Sequence, residues 1–408
     1  GGILEALDRL GAEPSQISTF VHGTTLGLNA VVERDGAATG LVTNEGFEDV
    51  LEIGRETVPD DRRYDMGYRR PEPLIPRRRR VGVPGRIDAS GTVETPLDED
   101  AVRDAARHLV ENRGIDALAI SFLHAYLDPR HEERARAVVR EAYPDLSVSI
   151  STDTVSEYGE FERTSTTAIE AYIKPIFESY VEDLVGALED DGFDGQLFIT
   201  RSGGGAFSAR KAKDTPVHTI FSGPAGGLIG CESIADRLDR PQYIALDMGG
   251  TTTDACVAHG GSPELNYEST IETHPVLIPR FDIRSIGAGG GSIAWPDRGL
   301  LRVGPQSAGA YPGPVCYGRG GTDPTVTDAG AVVGYLTPES FLRGELPLDI
   351  PRARRAIRER LADPLGLSVE DAASGVFQVA TANITNAVKE LTVERGKDPR
   401  QVSIVAYG

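Results

Sequence analysis

Only three cysteines occur in the 408 residues, Cys231, Cys256 and Cys316, far apart and without Cys-x-x-Cys spacing. That excludes a disulfide framework and a thiolate zinc site. Cys316 alone has a loop-like setting, Pro312-Gly-Pro-Val-Cys-Tyr-Gly318, and reads as a buried or merely accessible thiol rather than a reactive one. Lysine is nearly as scarce: five of the 42 basic residues, Lys174, Lys211, Lys213, Lys389 and Lys397. With 62 acidic residues the net charge is −20, so no net basic surface exists to neutralise a nucleic acid, and a nucleic-acid partner is not expected. A dispersed acidic surface poor in lysine resembles the proteins of salt-loving organisms. Apolar runs fall far short of the roughly 20 residues of a membrane span, and no charged-then-apolar leader is visible, so the expectation is a cytoplasmic protein without a membrane partner. No Gly-Lys-Ser/Thr appears, which removes a Walker-type NTPase. There is no solenoid repeat. His22, His124, His218 and His274 are isolated rather than clustered at metal-ligand spacing. His22, beside Gly23-Thr24-Thr25, reads as a structural hydrogen-bonding residue, with a site role as the alternative.

What is present fits a globular α/β enzyme: 39% hydrophobic residues, 47 glycines, and length for two or three domains. A helix is expected near 3–10, a strand near 18–21, a helix from His22-Gly-Thr-Thr25 to about Gly36, a strand near 40–43 and a short helix near 46–51. Residues 57–96, rich in Pro and Arg, read as irregular, with Arg77–Arg80 a solvated or ion-paired loop or a subunit-docking segment. A helix near 97–112 and a strand near 117–122 follow. Asp128-Pro129, an N-cap followed by Pro at the first helical position, starts a helix to about Tyr143, and a strand follows near 146–150. This βαβα rhythm implies a mostly parallel sheet with crossover helices. Residues 157–190 form a long helical zone, broken at Lys174-Pro175. A strand near 196–200 runs into Arg201–Gly205, a Gly-rich strand-to-helix junction. Thr219–Gly227 leads into a helix with Ser222 as N-cap. Residues 295–328 read as loop-rich, and helices near 351–362 and 369–395 precede a last strand at Ile404–Gly408. Both ends read as cut through structure, so the expectation is a fragment of a longer protein.

The stretch with most chemistry is Asp247-Met-Gly-Gly-Thr-Thr-Thr-Asp254, between the apolar runs Tyr243–Leu246 and Ala255–Ala258. Gly249, Gly250, Thr251, Thr252 and Thr253 would form a tight turn whose amides make an anion nest, and glycine lets backbone approach a phosphate. Asp247 could hold Mg²⁺ through water or orient a nucleophile, and Asp254 brace the turn or contact water. An ordinary Gly-rich hairpin is the alternative; it explains the glycines but not the flanking acids. Ser222 and Gly223 open a second candidate anion site at a helix N-terminus, or simply an ordinary capped helix. A haloacid-dehalogenase-type phosphatase is disfavoured, because Gly249 stands where its second Asp belongs.

Together, His22-Gly-Thr-Thr25 with Asn29 and Glu33, Thr39–Thr43 with Gly46–Arg55, Glu162-Arg-Thr-Ser-Thr-Thr167, Ser222-Gly-Pro-Ala-Gly-Gly227, Asp247–Asp254, Ile286–Ala294, Gly304–Gly321 and Val393-Glu-Arg-Gly396 resemble the A subunit of the hydantoinase/5-oxoprolinase family. They are also similar to the β subunit of acetone carboxylase. The resemblance covers essentially the whole chain. It implies an α/β, two-lobed actin-like ATPase (ribonuclease H-like) fold with ATP and Mg²⁺ between the lobes, residues 1–215 forming the first and 216–408 the second. Asp247–Asp254 would be the second-lobe phosphate loop. The first loop would lie upstream of Gly1 and the adenine motif would begin at Tyr407-Gly408, leaving the fragment alone inactive. The implied reaction is phosphorylation of a cyclic amide (hydantoin, N-methylhydantoin or 5-oxoproline) at its carbonyl oxygen, then ring opening with a B-type subunit or fused B domain. Asp247 and Asp254 would be catalytic, with Asp247 positioning Mg²⁺ through water. Gly249–Thr253, Ser222 and Gly223 would contact phosphate. Gly287, Gly289, Gly290, Gly291 and Ser292, with His22, Thr24 and Thr25, are candidates for further substrate or phosphate contacts. A ketone carboxylase subunit and a non-catalytic nucleotide-binding scaffold are the alternatives.

Overall fold

The computed structural model describes residues 2–55, 58, 62–70 and 72–408. Two units form, Gly1–Gly226 with Leu265–Arg280, and Gly227–Glu264 with Phe281–Gly408.

In the first unit, helix α1 (Gly2–Leu10) precedes strand β1 (Thr19–His22), and helix α2 (Leu26–Val32) follows it. Strands β2 (Thr39–Asn44), β3 (Arg80–Val83), β4 (Ala117–Ser121) and β5 (Ser147–Ile150) form one parallel sheet in the order β3-β2-β4-β5. β2 and β4 are buried throughout, as parallel strands covered on both faces must be. Val42, Leu118 and Ile120 face helices α3 (Glu99–Arg107) and α4 (Arg130–Ala142) through Val102, Ala106, Val138 and Val139. Leu41, Ala117 and Ala119 face helix α5 (Glu160–Asp190) through Ala168 and Ala171.

Three local expectations fail in this unit. The irregular stretch over 57–96 includes Thr57, Pro59, Asp60, Asp61 and Pro71, which lie outside the described residues; the rest contains β3. The strand is hidden in the sequence because it begins at Arg80, whose buried guanidinium donates to Ile75 O (2.8 Å from Nε) and Glu48 O (3.1 Å) and pairs with Glu52. Helix α5 is unbroken at Pro175. Proline there removes one backbone donor at a cost of about 3 kcal/mol. Burial of Ile169 and Ile173 before it and of Phe177, Val181 and Leu188 after it contributes roughly 1.5–3 kcal/mol each. Finally, Arg201–Gly205 joins strand to strand: β6 (Gln196–Thr200) pairs parallel with β1 and antiparallel with β7 (Ala206–Ser208). Gly204 (φ 91°) and Gly205 (φ 71°) reverse the chain in the left-handed region, and Arg201 N donates to Gly205 O at 3.0 Å.

Helix α6 (Ser222–Arg237) begins in the first unit and continues into the second. There, β8 (Tyr243–Met248) pairs antiparallel with β9 (Thr253–His259), which also carries β10 (Ile283–Ile286). Ile244, Ala255 and Val257 pack on Leu391. The expected loop-rich stretch opens instead with a hairpin, β11 (Ser292–Asp297) and β12 (Leu300–Ser307), closed by Arg298 (φ 49°) and Gly299 (φ 84°), and is irregular from Ala308 to Thr325 apart from one 3-10 turn at Val315–Tyr317. Pro296 and Pro305 obscure it in sequence, yet a two-stranded ribbon has edge positions that tolerate proline. Its Ala294 and Val303 pack with helices α7 (Val326–Val333) and α8 (Val369–Thr392). The last strand, β13 (Ser403–Tyr407), lies parallel to β8. Among the described residues no helix is long and apolar enough to cross a membrane.

Candidate functional site

In the second unit the turn Gly249–Thr252 links β8 to β9 and is exposed along its length. Gly249 N donates to Thr252 O at 2.9 Å and closes the turn. The amides of Gly250, Thr251 and Thr252 have no partner among the described residues. A Cβ on Gly250 would meet nothing within 4 Å, and one on Gly249 only Thr252 O at 3.6 Å. The protein's own packing therefore does not require these two glycines; what they keep clear is the open face in front of the amides.

Behind the turn the opposite holds. Gly290 N donates to Gly249 O (3.0 Å) and Gly291 N to Gly250 O (2.6 Å), so the second glycine loop is zipped backbone to backbone onto the first. A Cβ on Gly289 would lie 2.7 Å from Thr251 C, and one on Gly291 would lie 2.9 Å from Gly250 O. Thr253 donates its hydroxyl to Ala288 O, Ser292 Oγ accepts from Gly289 N (2.8 Å), and Thr327 donates through N and Oγ1 to Gly290 O (2.8 Å each). Gly287 packs on Pro305. Gly287–Ser292 thus braces the turn from beneath.

Asp247 and Asp254 are register partners across β8 and β9 and so share one face of the sheet. Burial, and then the neighbouring Asp254 charge, push the Asp247 carboxyl above its ordinary value. Asp254 Oδ1 is buried without a hydrogen-bond partner, and neither carboxylate has an ion pair among the described residues. A like-charged pair with an unsatisfied oxygen beside free amides fits a phosphate-bound divalent cation. Among the described residues no three His, Cys, Asp or Glu side chains group as a protein-only metal cage.

Residues far away in sequence complete this site. Tyr407 is the β13 register partner of Asp247, and burial raises its phenol. A Cβ on Gly227 would sit 2.4 Å from the Tyr407 ring, and one on Gly408 would sit 2.7 Å from Asp247 Oδ1. Ser307 Oγ reaches Thr251 Oγ1 at 3.5 Å. Ser307 and Thr327 are not among the sequence candidates, and the dense Gly/Pro run at Gly304–Gly321 is the one sequence signal near Ser307; Tyr407 is where the adenine motif is expected to begin.

The other candidates form a separate cluster in the first unit. Ser222 Oγ accepts from Thr24 N (3.1 Å) and donates to Thr24 O (2.9 Å). Its hydroxyl is buried and committed to that clasp, so it does not serve as the expected N-cap. A Cβ on Gly223 would lie 3.2 Å from the Thr25 methyl. His22 Nε2 lies 2.6 Å from the Tyr180 hydroxyl, and burial lowers its pKa, which favours neutral imidazole. Glu162 and Arg55 make two hydrogen bonds of 2.7 and 2.6 Å.

Family models described as Hydantoinase/oxoprolinase N-terminal region and Hydantoinase/oxoprolinase match residues 1–143 and 163–408. Caprolactamase subunit alpha of Pseudomonas jessenii is 37% identical over 100% of this chain and 59% of its own length. The acetophenone carboxylase gamma subunit of Aromatoleum aromaticum is 37% identical over 96% and 55%. The crystal structure of the ATP-dependent caprolactamase from Pseudomonas jessenii superimposes with a TM-score of 0.86 at 36% identity, covering 100% of this chain and 60% of that one. The chain thus spans under two thirds of the length of these relatives and shares the α/β fold of the caprolactamase. The motifs, the two matched regions and the shared fold together make this chain a member of the hydantoinase/oxoprolinase family.

Proposed function

We propose that this chain is the nucleotide-binding part of an ATP-dependent enzyme that opens a cyclic amide, acting with a B-type subunit or domain. The observation that carries the reading is the exposed Gly249–Thr252 turn, with three amides that have no partner among the described residues and room for a Cβ at both glycines. Glycines that no atom of the described residues requires, beside two carboxylates with no ion pair among the described residues, suit a Mg²⁺-bound polyphosphate. Bound ATP supplies a phosphoryl group that turns the poorly reactive amide oxygen into a leaving group. Within the site, the amides of Gly250, Thr251 and Thr252 hold phosphate oxygens. Asp247 would hold the metal, and Asp254 would keep a second negative charge beside it. Gly287–Ser292 fixes the turn from below, so the donors need no rearrangement when charge develops. In the first unit, the His22–Thr25 and Ser222–Gly223 clasp is a second candidate for phosphate or substrate contact, through backbone rather than the committed Ser222 hydroxyl.

The named relatives support two substrate classes, because one is a caprolactamase subunit and another an acetophenone carboxylase subunit at the same identity. ADP release by the full-length protein with its partner decides between them. Stimulation by a hydantoin or lactam without bicarbonate is expected. ADP release requiring both bicarbonate and a ketone selects the carboxylase reading. No stimulation by either class defeats both.

A further inference from the structure

One half-buried cation of the Arg77–Arg80 run has no role in the fold described above. Arg77 pairs with Asp49, and Arg80 pairs with Glu52. The Arg79 side chain is half-buried and has no ion pair or hydrogen bond among the described residues. In a chain with 62 acidic residues against 42 basic ones, carboxylate partners are in excess. Arg79 instead lines a cavity of about 510 Å³ in the first unit.

Arg34 lines the same cavity. It stands just past helix α2 with φ 59°, in the left-handed region where glycine is the usual residue. Its one ion pair among the described residues, with Glu272, is loose at 3.7 Å. Tyr172 of helix α5 also lines the cavity, with its ring so close to Gly36 that a Cβ there would lie 1.9 Å from Cε1. The Tyr172 hydroxyl and the Gly36 amide have no hydrogen-bond partner among the described residues. Glu72, exposed in the lining, pairs with neither arginine. Gly36–Ala38 immediately precede β2 and Arg79 immediately precedes β3, so the cavity lies at the amino ends of two parallel strands. Open parallel sheets place their principal ligand at the opposite, carboxyl ends. None of the lining residues belongs to the phosphate turn or to the His22–Ser222 clasp.

We propose that this cavity is an accessory site for a small organic molecule bearing one oxyanion, a carboxylate or a phosphate, held by Arg34 and Arg79. Two guanidiniums against one carboxylate leave the lining positive in an acidic protein, and the planar fork of arginine matches either oxyanion. A half-buried cation without a partner has lost part of its hydration for nothing in return, so an entering anion is favoured there. The Tyr172 hydroxyl can donate a further hydrogen bond. The volume lies within the roughly 300–1,000 Å³ of small-molecule sites and exceeds what a bare inorganic anion fills. Pro73 and Leu74 give the organic part an apolar contact.

The test uses the full-length protein with its partner, at low salt, and calorimetry with benzoate and phenyl phosphate as probes. At least one should bind with a Kd of about 1 mM or tighter, and the one that binds better names the oxyanion. Arg79→Gln should weaken that binding at least about tenfold. Arg34→Gly should do the same without lowering the melting temperature, because glycine adopts the left-handed backbone freely. Glu72→Gln removes the one negative charge of the lining and should tighten binding. Arg78→Gln makes the same change of net charge at an exposed neighbour and should leave the Kd within about twofold, as should Gly250→Ala in the phosphate turn. Absence of binding by either probe up to about 10 mM would overturn the proposal. So would a loss in Arg78→Gln as large as in Arg79→Gln, which is surface charge alone, or weaker binding in Glu72→Gln, which a cationic ligand would give. A loss in Gly250→Ala that Arg79→Gln does not share would put the anion on the turn and overturn it equally.

Discussion

The same substitution should have opposite consequences at two glycines a few ångströms apart. At Gly250 an added methyl enters open space, so Gly250→Ala should leave stability within about 0.5 kcal/mol. It should weaken ATP binding at least tenfold, because that space is where phosphate is proposed to lie. At Gly289 the methyl would sit 2.7 Å from the Thr251 backbone, and Gly289→Ala should cost roughly 1–3 kcal/mol by overpacking. Denaturant midpoints and ATP calorimetry read both, and an undisturbed ATP Kd in Gly250→Ala would remove the phosphate from that face. The carboxylates carry a pH signature as well. Asp247 is raised by burial and then by Asp254, so the ionised form that would carry the metal is reached at a higher pH than for an ordinary Asp. Turnover should therefore fall on acidification at a higher pH than an ordinary Asp would give. Asp254→Asn removes the like charge and should move that acidic limb downward. Asp247→Asn should abolish the limb and lower kcat by about a hundredfold or more. An acidic limb that Asp254→Asn leaves in place would show that the Asp254 charge does not raise Asp247.

Among the elements, helix α5 concentrates the unusual chemistry of the first unit. Glu170 is fully buried on it, with Oε2 accepting from Val217 N at 2.8 Å and Oε1 without a partner among the described residues. Burial, only partly offset by Lys174, raises its carboxyl to about 8. The folded value lies above the unfolded one, so the stability Glu170 contributes is complete below about pH 4.5 and is lost as pH rises toward 8. Glu170→Gln keeps an acceptor for Val217 and has no proton to lose. It should abolish a loss on the order of a few kcal/mol between pH 5 and 8, seen as a flatter melting temperature across that range. A wild-type melting temperature that rises over that window would contradict it. What made elements readable was length and unbroken burial: α5, α8 and β4 announce themselves in runs such as Ala117–Ser121. What concealed them was a tertiary partner the local sequence does not name. Arg80 looks like a solvated charge until Ile75 O and Glu52 surround it, and Pro175 looks like a break until the apolar face on both sides is counted. The turn at Asp247–Asp254 was legible for the same local reason. Its supports Ser307 and Thr327 were not, because they come from elements dozens of residues away.

For the whole molecule, charge sets the condition under which all of this operates. Salt has two opposed effects here. It screens the surface ion pairs, such as Arg134 with Glu99 and Arg395 with Asp282, each worth about 0–1 kcal/mol when exposed. It also screens the repulsion among the carboxylates left in excess when every basic residue is counted against an acidic one, an excess of 20. With a Debye length near 10 Å at 0.1 M and near 3 Å at 1 M, repulsion summed over many pairs is suppressed strongly, while short contacts of 2.6–2.7 Å lose less. Repulsion should therefore dominate, and stability should rise with KCl. The melting temperature is expected to climb by several degrees between about 0.1 and 1 M KCl. Sulfate is a poor probe because it also strengthens apolar burial, so chloride is the salt to use. A flat or falling melting temperature in KCl would mean that the ion pairs outweigh the excess charge, and the acidic, lysine-poor composition would then need an explanation other than adaptation to salt.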